Sequence, residues 1–296
     1  MKILVFDIGG TSIKYGTCID HQLQDVKEIP TEAKKGGEHI LSTLVSLIEK
    51  ESGYHGIGIS TAGQVHAGDG YIIYANQNIP GYTGIQIGNV LEEKFHIPVS
   101  VENDVNAAAM GEAIYGSGKN QDNFLMLTYG TGVGGAVVSN KEIFYGSSYS
   151  ASEFGAIITH SDARLHGSDY FDGCYEKYAS TTGLVKLAME YDPTLCNGRE
   201  IFAHLHDPNV EAILDQWIEE IMIGLASLTH IYNPSCIILG GGIMEQPIIL
   251  KKIEDQKPRF IMPSFSHVKI VSASLGNKAG LLGANYQALK KVNQVI

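Results

Sequence analysis

Three glycine-rich turns, each following a short apolar run, are the parts of this sequence best suited to chemistry. They lie at residues 7–11, 129–132 and 240–242, and the first two also contain a threonine. Backbone N–H groups in tight glycine turns form concavities that bind anions, and no side chain blocks the approach of a phosphate group there. A single turn of this kind is better explained by the backbone needs of a β-hairpin than by phosphate binding. Three of them favour a site that binds phosphate groups.

Two common nucleotide-binding motifs do not account for these turns. The sequence contains no G-x-x-x-x-G-K-[ST] motif, so it does not indicate a P-loop enzyme. The turn at 240–242 lacks the G-x-G-x-x-G spacing and the N-terminal position of a dinucleotide-binding fingerprint. The turns therefore indicate neither a P-loop enzyme nor a dinucleotide-binding fold.

Asp7 follows the apolar run 3–6 and interrupts its pattern. A buried carboxylate without a partner is unfavourable, so Asp7 either caps the turn or faces a cation. Lys14 lies one hairpin turn away and either balances Asp7 or contacts a phosphate group. Because Mg²⁺ prefers carboxylate oxygens and keeps part of its hydration shell, a hydrated Mg²⁺ ion is the natural partner of Asp7 beside phosphate groups.

Asn103 and Asp104 stand at the predicted start of an Ala-rich helix over residues 105–115. Both residue types are preferred at helix N-termini, so the pair is explained by capping alone. A catalytic role for Asp104 is compatible with capping, because a helix N-terminus also favours an ionised carboxylate. A fixed carboxylate can accept the proton of a hydroxyl group as its oxygen attacks phosphorus. Asp104 is therefore a candidate general base.

The order of predicted elements repeats itself along the chain. In the first half a strand at 3–6 leads through a glycine turn into a strand at 12–19, and in the second half strands at 124–128 and 133–138 do the same. The other predicted elements are a candidate strand at 26–29, strands at 56–60, 99–101 and 236–239, and helices at 38–50, 105–115, 211–231 and 281–292. This duplication predicts two lobes with one hairpin each, joined near 115–120. We expect the closing helix to pack back on the first lobe.

Composition excludes several classes of function. The chain has 296 residues, of which 44% are hydrophobic and 18% charged, so it buries a core. Its net charge is −11 and it has no long run of Lys or Arg, which argues against a nucleic-acid partner. The four cysteines include no C-x-x-C pair and make no disulfide framework. Because no apolar stretch reaches about 18 residues, we expect a soluble cytoplasmic protein without a membrane partner.

Across nearly the whole chain these motifs resemble the ROK family of sugar kinases, a branch of the hexokinase, actin and Hsp70 ATPase fold. The matching segments stand in the family's order at 7–14, 78–81, 102–107, 130–135, 240–242 and 275–284. The resemblance implies a ribonuclease H-like α/β fold of two lobes, with ATP and a sugar in the cleft between them. We expect residues 1–116 and 280–296 to form the N-terminal lobe and residues 117–279 the C-terminal lobe. Family members are commonly homodimers, so a homodimer is implied here.

The resemblance also implies roles for residues at matching positions. Asp104 matches the base that takes a proton from a sugar hydroxyl group (O6 by analogy), and Asp7 matches the carboxylate that acts on Mg²⁺ through water. The residues implied to bind ATP and its phosphate groups are Asp7, Gly9, Gly10, Thr11, Lys14, Thr131, Gly132, Gly134, Gly241 and Gly242. The residues implied to bind the sugar are Gly63, Asn78, Asn103, Asp104, Glu153 and Glu176. These roles depend on the prediction that the turns at 7–11 and 129–132 face one crevice and hold one nucleotide.

The sequence departs from the family where typical members hold a structural zinc ion. Those members carry Glu-x-Gly-His and then Cys-x-Cys-Gly-x-x-Gly-Cys-x-Glu, whereas here Ala156 replaces the histidine and only Cys174 of the three cysteines remains. A tetrahedral structural site needs about four ligands, so we expect no structural zinc. A site improvised from His160, His166 and Cys174 is the remaining alternative.

Ala156 also bears on the substrate. In the family the missing imidazole lies near the anomeric end of the sugar, so alanine leaves a smaller and less polar wall. We hypothesise a substrate substituted at C1, such as the glucosyl unit of a β-glucoside or of cellobiose. The alternatives are a kinase for free glucose, another hexose or an N-acetylhexosamine, a catalytically silent sugar-binding protein, and an ATPase with a protein client.

Overall fold

The computed structural model describes residues 1–295, which form two compact units. The first unit comprises Met1–Lys119, Lys141–Ala151 and the residues from Asn277 onward, and the second comprises Asn120–Asn140 and Ser152–Gly276. This division differs from the predicted lobes mainly in the segment 141–151, which the prediction assigns to the C-terminal lobe.

Strands and helices follow one another along the described residues. The strands are β1 (Lys2–Ile8), β2 (Ser12–Ile19), β3 (Gln22–Pro30), β4 (Gly56–Thr61), β5 (Gln64–His66), β6 (Tyr71–Tyr74), β7 (Val99–Asn103), β8 (Phe124–Tyr129), β9 (Val133–Ser139), β10 (Glu142–Ile143), β11 (Cys236–Gly240) and β12 (Lys269–Ser272). The α-helices are α1 (Gly37–Ile48), α2 (Ile87–Phe95), α3 (Asp104–Tyr115), α4 (Ser161–His166), α5 (Tyr175–Ala179), α6 (Thr181–Tyr191), α7 (Gly198–Ala203), α8 (Pro208–Tyr232), α9 (Pro247–Phe260) and α10 (Ala279–Val295).

The first unit is built on a sheet with the strand order β3-β2-β1-β4-β7, beside which β5 and β6 form a separate hairpin. Strand β1 pairs antiparallel with β2 and parallel with β4, which in turn pairs parallel with β7. Helix α1 covers this sheet with Ile40, Leu44 and Ile48, whose four-residue spacing places them on one buried face. Because β1, β4 and β7 run parallel, their carboxyl ends meet at one edge of the sheet.

The second unit repeats this arrangement. Its strands lie in the order β9, β8, β11 and β12, with β8 antiparallel to β9 and parallel to β11. Strands β2, β1, β4 and β7 have the same order and directions, so the duplication predicted from the glycine turns is present in the topology. Helix α8 packs its fully buried Trp217 under the start of α6, where Trp217 Nε1 donates to the carbonyl oxygens of Ala179 and Ser180 at 3.0 Å.

Within the first unit, helix α10 packs against α3 and β4 at positions occupied by small residues. A Cβ atom added at Gly283 would collide with the backbone of Ala107 in α3, and one added at Gly58 of β4 would collide with the backbone of Ala284. Glycine therefore lets α10 approach both elements closely.

The predicted strands and helices are all present, with shifts of a few residues at their ends. Strands β5, β6, β10 and β12 were not predicted, because runs of two to four residues are too short to show an alternating pattern. Helices α2, α4, α5, α6, α7 and α9 were also not predicted; α4, α5 and α7 have only five or six residues. Within residues 1–295, no helix combines the length and apolarity that a membrane span requires.

Candidate active site

In the first unit the polar residues of interest lie where the parallel strands end. Asp7 of β1 is in register with Ser60 of β4, and Thr61 of β4 is in register with Asn103 of β7. The carboxyl ends of parallel strands in α/β sheets are the usual place for ligand binding. The strand register thus places Asp7 and Asn103, two of the predicted site residues, at the same sheet edge.

Asp7 is held by its neighbours in the sheet. Ser60 Oγ donates a hydrogen bond to Asp7 Oδ1 at 2.7 Å, and Lys14 lies directly opposite Asp7 in the β1–β2 pair. Burial raises the pKa of Asp7, while the Ser60 hydrogen bond and the Lys14 charge oppose this rise. Gly280 of α10 lies behind the carboxylate, since a Cβ atom added there would be 3.0 Å from Asp7 Oδ1. The carboxylate therefore has a fixed position and incomplete charge compensation, which suits the binding of a cation.

The first glycine turn connects β1 to β2 and exposes its backbone. Gly9 N–H donates to the carbonyl oxygen of Ser12 at 3.0 Å, and Thr31 Oγ1 donates to the carbonyl oxygen of Gly9 at 2.6 Å. Gly10 and Thr11 are exposed, and no atom lies within 4 Å of a Cβ atom added at Gly10. The turn is thus pinned at Gly9 and open at its tip.

Asn103 is the N-cap of α3 and organises the residues around it. Its Oδ1 accepts hydrogen bonds from the backbone N–H groups of Val105 and Asn106, at 2.9 and 3.1 Å. Its Nδ2 donates to the carbonyl oxygen of Gly63 at 2.9 Å and to Asp104 Oδ1 at 3.0 Å. The predicted capping role is therefore present, and one side chain joins three of the predicted sugar-binding residues.

Asp104 is a partly buried carboxylate in the first turn of α3. Burial, together with the negative charge of Asp7, raises its pKa to about 6, whereas hydrogen bonds from Val105 N–H and Asn103 Nδ2 oppose the rise. Both of these bonds end on Oδ1, at 2.9 and 3.0 Å. Oδ2 is therefore the oxygen that we expect to meet a hydroxyl group. A carboxylate with this pKa is mostly ionised at neutral pH and is basic enough to accept a proton.

In the second unit the turn after β8 lies against the start of α6. Gly130 N–H donates to the carbonyl oxygen of Gly132 at 3.0 Å. Thr181 N–H donates to the carbonyl oxygen of Gly130 at 2.9 Å, and Thr182 Oγ1 donates to that of Thr131 at 2.8 Å. The predicted phosphate turn is therefore fixed from α6.

The turn at 240–242 lies beside the same turn. Gly240 of β11 is in register with Thr128 of β8. Gly241 has a φ angle of +102°, and a Cβ atom there would collide with the backbone of Tyr129. Both conditions require glycine. The structure thus brings together the second and third glycine turns, which the sequence separates by more than a hundred residues.

Glu176 connects the second turn to a further acidic residue. Val133 N–H donates to Glu176 Oε2 at 3.3 Å, and a Cβ atom added at Gly132 would lie 2.5 Å from that oxygen. Burial raises the pKa of Glu176, and the charge of Glu153 raises it further. The two glutamates predicted to bind the sugar are therefore close enough to interact electrostatically.

Two of the residues predicted to bind substrate lie away from the sheet edge and from the tips of the turns. Asn78 is exposed in the loop after β6, and its backbone N–H donates to Asn76 Oδ1 at 3.0 Å. Gly134 lies within β9, in register with Thr128, rather than at the tip of the turn. The described contacts do not bring Asn78 to Asn103 or Asp104.

The residues of the alternative metal site are engaged elsewhere. His160 stacks on Tyr178 with 3.8 Å between ring centroids, and Cys174 Sγ lies 3.7 Å from the carbonyl oxygen of Tyr170. His166 Nδ1 is 3.0 Å from the carbonyl oxygen of Asp162. Among residues 1–295, no group of three or more His, Cys, Asp or Glu side chains is arranged to hold a metal ion.

Sequence reasoning missed Ser60, Glu102 and Tyr82. Ser60 ends an apolar strand as Asp7 does, which is a usable signal. Tyr82 Oη lies 2.7 Å from Thr61 Oγ1. Burial raises the pKa of Tyr82, and the charge of Asp104 raises it further, so this phenol lies near the candidate base.

Comparison with known proteins gives a consistent result. A family model described as "ROK family" matches residues 3–291. A β-glucoside kinase from Listeria innocua serovar 6a is 30% identical over 302 residues, covering 99% of each chain. A glucokinase from Halalkalibacterium halodurans is 30% identical over 316 residues, covering 98% of this chain and 95% of the relative.

A solved structure extends the comparison. The ROK family glucokinase from Streptomyces griseus, in complex with glucose and AMPPNP, has a TM-score of 0.83 and 28% identity, covering 98% of this chain and all of the other. The predicted α/β, hexokinase-like fold class is therefore confirmed.

Proposed function

Because the chain belongs to the ROK family, we propose that it is a sugar kinase that transfers the γ-phosphate of ATP to the 6-hydroxyl group of a glucose-type sugar. The named relatives are a β-glucoside kinase and a glucokinase, which supports the reaction class. The similar solved glucokinase holds AMPPNP, an analogue of ATP, which supports ATP as the phosphate donor.

The pKa and position of Asp104 carry this proposal. Its carboxylate is fixed by Asn103 and by the backbone of α3, and its pKa of about 6 leaves it ionised at neutral pH. It then accepts the proton of the sugar hydroxyl group as the oxygen attacks the γ-phosphorus. A positioned base of this kind contributes about 10²–10⁴-fold to the rate.

The first glycine turn and Asp7 serve the phosphate groups. The exposed backbone of Gly10 and Thr11 offers N–H groups to a phosphate oxygen, and Lys14 supplies a positive charge. Asp7 would hold Mg²⁺ through water, because its partly buried carboxylate lacks a full counter-charge. When bound, Mg²⁺ neutralises charge that develops on the transferred group. Thr131, Gly132, Gly134, Gly241 and Gly242 are proposed to contact the rest of the nucleotide.

The same arrangement supports the proposed contacts with the sugar. Asn103 and Gly63 are joined by a hydrogen bond beside Asp104, and Glu153 lies near Glu176. Asn78 remains a proposed contact that requires its exposed loop to meet the sugar. The prediction that the first and second turns hold one nucleotide also stays a prediction, as do the cytoplasmic location and the homodimer.

Ala156 favours a sugar substituted at C1 as the substrate. It lies in the 3-10 turn Phe154–Ala156, three residues after Glu153, where typical family members carry histidine. Alanine leaves room for a group attached to the anomeric oxygen, which favours a β-glucoside such as cellobiose. The relative from Listeria innocua named as a β-glucoside kinase supports this choice, and the glucokinase relative supports free glucose as the alternative.

A coupled assay of ADP formation with glucose, cellobiose and an N-acetylhexosamine tests the function. We expect sugar-dependent ADP formation, a higher kcat/KM for cellobiose than for glucose, and phosphate on O6 by nuclear magnetic resonance. The matched variant Ala156→His should shift the preference towards free glucose. A strong preference of the wild type for glucose refutes substitution at C1. ATP hydrolysis without sugar favours a client-driven ATPase, and no ATP consumption favours a silent sugar-binding protein.

A further inference from the structure

Glu102 is a buried carboxylate that the proposed mechanism does not use. It precedes Asn103 at the end of β7, and only 1% of its surface is exposed. Its Oε1 accepts hydrogen bonds from Asn103 N–H at 2.8 Å and from Asn106 Nδ2 at 3.1 Å. Its Oε2 accepts a hydrogen bond from the Tyr145 hydroxyl group at 2.6 Å. Burial raises the pKa of Glu102, and these three hydrogen bonds oppose the rise.

The two bonds to Oε1 connect Glu102 with the residues that fix Asp104. Asn103 caps α3 and donates from Nδ2 to Asp104 Oδ1, so a shift of the Asn103 backbone shifts that donor. Asn106 lies in the first turn of α3, two residues beyond Asp104. Glu102 therefore holds the first turn of α3 at two points, on both sides of Asp104 in the sequence.

Tyr145 is itself fixed on the first unit by the loop that follows β10. In this loop the centroids of the Tyr149 and His66 rings are 4.0 Å apart, and Ser150 Oγ donates to Gln64 Oε1 at 3.1 Å. The Tyr145 and Tyr149 rings are also in contact, with 5.2 Å between their centroids. The hydroxyl group that meets Glu102 is thus presented from a loop with its own anchors.

We propose that Tyr145 is a positioning residue for phosphoryl transfer: its hydroxyl group fixes the Glu102 carboxylate, and Glu102 fixes Asp104 through the first turn of α3. This inference rests on the proposed sugar kinase function. Without the Tyr145 hydroxyl group, Glu102 Oε2 is a buried oxygen without a donor, which is unfavourable. The carboxylate relieves this by moving or by taking up a proton, and either change alters the bonds made by Oε1. Small displacements of a catalytic group reduce rates strongly.

The variant Tyr145→Phe removes only the hydroxyl group. We expect kcat for the best sugar substrate to fall about tenfold, while the KM values for sugar and ATP stay within twofold. The matched control is Tyr149→Phe, which makes the same change in the same loop, on a residue whose ring packs against that of His66. Its kcat should stay within twofold of the wild type. A merely structural role of Tyr145 would lower the melting temperature without this selective loss of kcat.

A double-mutant cycle with Glu102→Gln tests the route. Glu102→Gln should lower kcat at least as much as Tyr145→Phe, and adding Tyr145→Phe to it should reduce kcat less than twofold further. The proposal is overturned if kcat of Tyr145→Phe stays within twofold of the wild type, or if the two losses multiply. A Tyr145→Phe protein that does not fold also overturns it, because the hydroxyl group would then serve stability.

Failure of this inference differs from failure of the proposed function. If the chain is not a sugar kinase, the wild-type protein forms no sugar-dependent ADP with any sugar tested. If only the role of Tyr145 is wrong, the wild-type protein is active and Tyr145→Phe matches it.

Discussion

Replacing the candidate base by its neutral isostere should make the enzyme less active and the fold more stable. In Asp104→Asn the side chain keeps its shape and its Oδ1 acceptor, but it loses the negative charge that burial and Asp7 disfavour. Because the proposed general base is removed, we expect kcat to fall by at least about 10²-fold while the sugar still binds.

The magnitude of the stability gain follows from the pKa of Asp104. A rise from 3.8 to about 6 corresponds to about 3 kcal/mol, since one pKa unit is about 1.4 kcal/mol. The Asp104 side chain is only partly buried, so solvent screening makes this figure an upper bound. We therefore expect the free energy of unfolding to rise by about 1–2 kcal/mol at neutral pH.

The sign of the pH dependence is fixed by the direction of the shift. A carboxyl group with a raised pKa stabilises the folded state when it is protonated, and this contribution is lost as the pH rises from about 4 through about 6. Asparagine does not titrate. The gain of Asp104→Asn should thus be absent near pH 4 and complete above about pH 7.

Urea unfolding of both proteins at pH 4.5 and pH 8 measures this difference. The matched control is Asp162→Asn, whose parent side chain is 96% exposed, and we expect its free energy of unfolding to change by less than about 0.5 kcal/mol at both pH values. If Asp104→Asn is destabilised at pH 8, or if its gain does not depend on pH, the carboxylate is not strained by burial and the reasoning fails.

Two further predictions concern Asp104 in the first unit and Glu176 in the second. The value of kcat/KM should rise through about pH 6 as Asp104 loses its proton. In Asp7→Asn the midpoint of the remaining activity should move to lower pH, because a neighbouring negative charge is gone. A flat profile between pH 5 and 7 would exclude Asp104 as the base. Gly132→Ala places a methyl group 2.5 Å from Glu176 Oε2 and should raise the KM for the sugar about tenfold. In Gly130→Ala no atom lies within 4 Å of the added methyl group, so this variant should keep the wild-type melting temperature. An unchanged KM for the sugar in Gly132→Ala would contradict the proposed role of Glu176.

The features of the candidate site that could not be predicted from the sequence depend on contacts between residues far apart in the chain. The cap at Asn103 could be predicted because it depends on residues within one turn of helix. The raised pKa of Asp104 could not, because it depends on Asp7, a residue almost a hundred positions earlier. Likewise Glu102 looks like an ordinary strand residue in the sequence, and its bond to Tyr145 follows only from the packing of the loop after β10.

The sequence by itself determined the local features of this protein. Apolar runs ending in glycine turns specify strands and the tight turns between them. The repeated order of elements specifies two similar units, because hydrophobic periodicity and turn chemistry act over a few residues. The tertiary structure alone decided which charges lie close enough to interact, such as Asp7 with Asp104 and Glu153 with Glu176. Burial and electrostatic coupling depend on distance in space, and in both pairs the chain brings together residues from different elements.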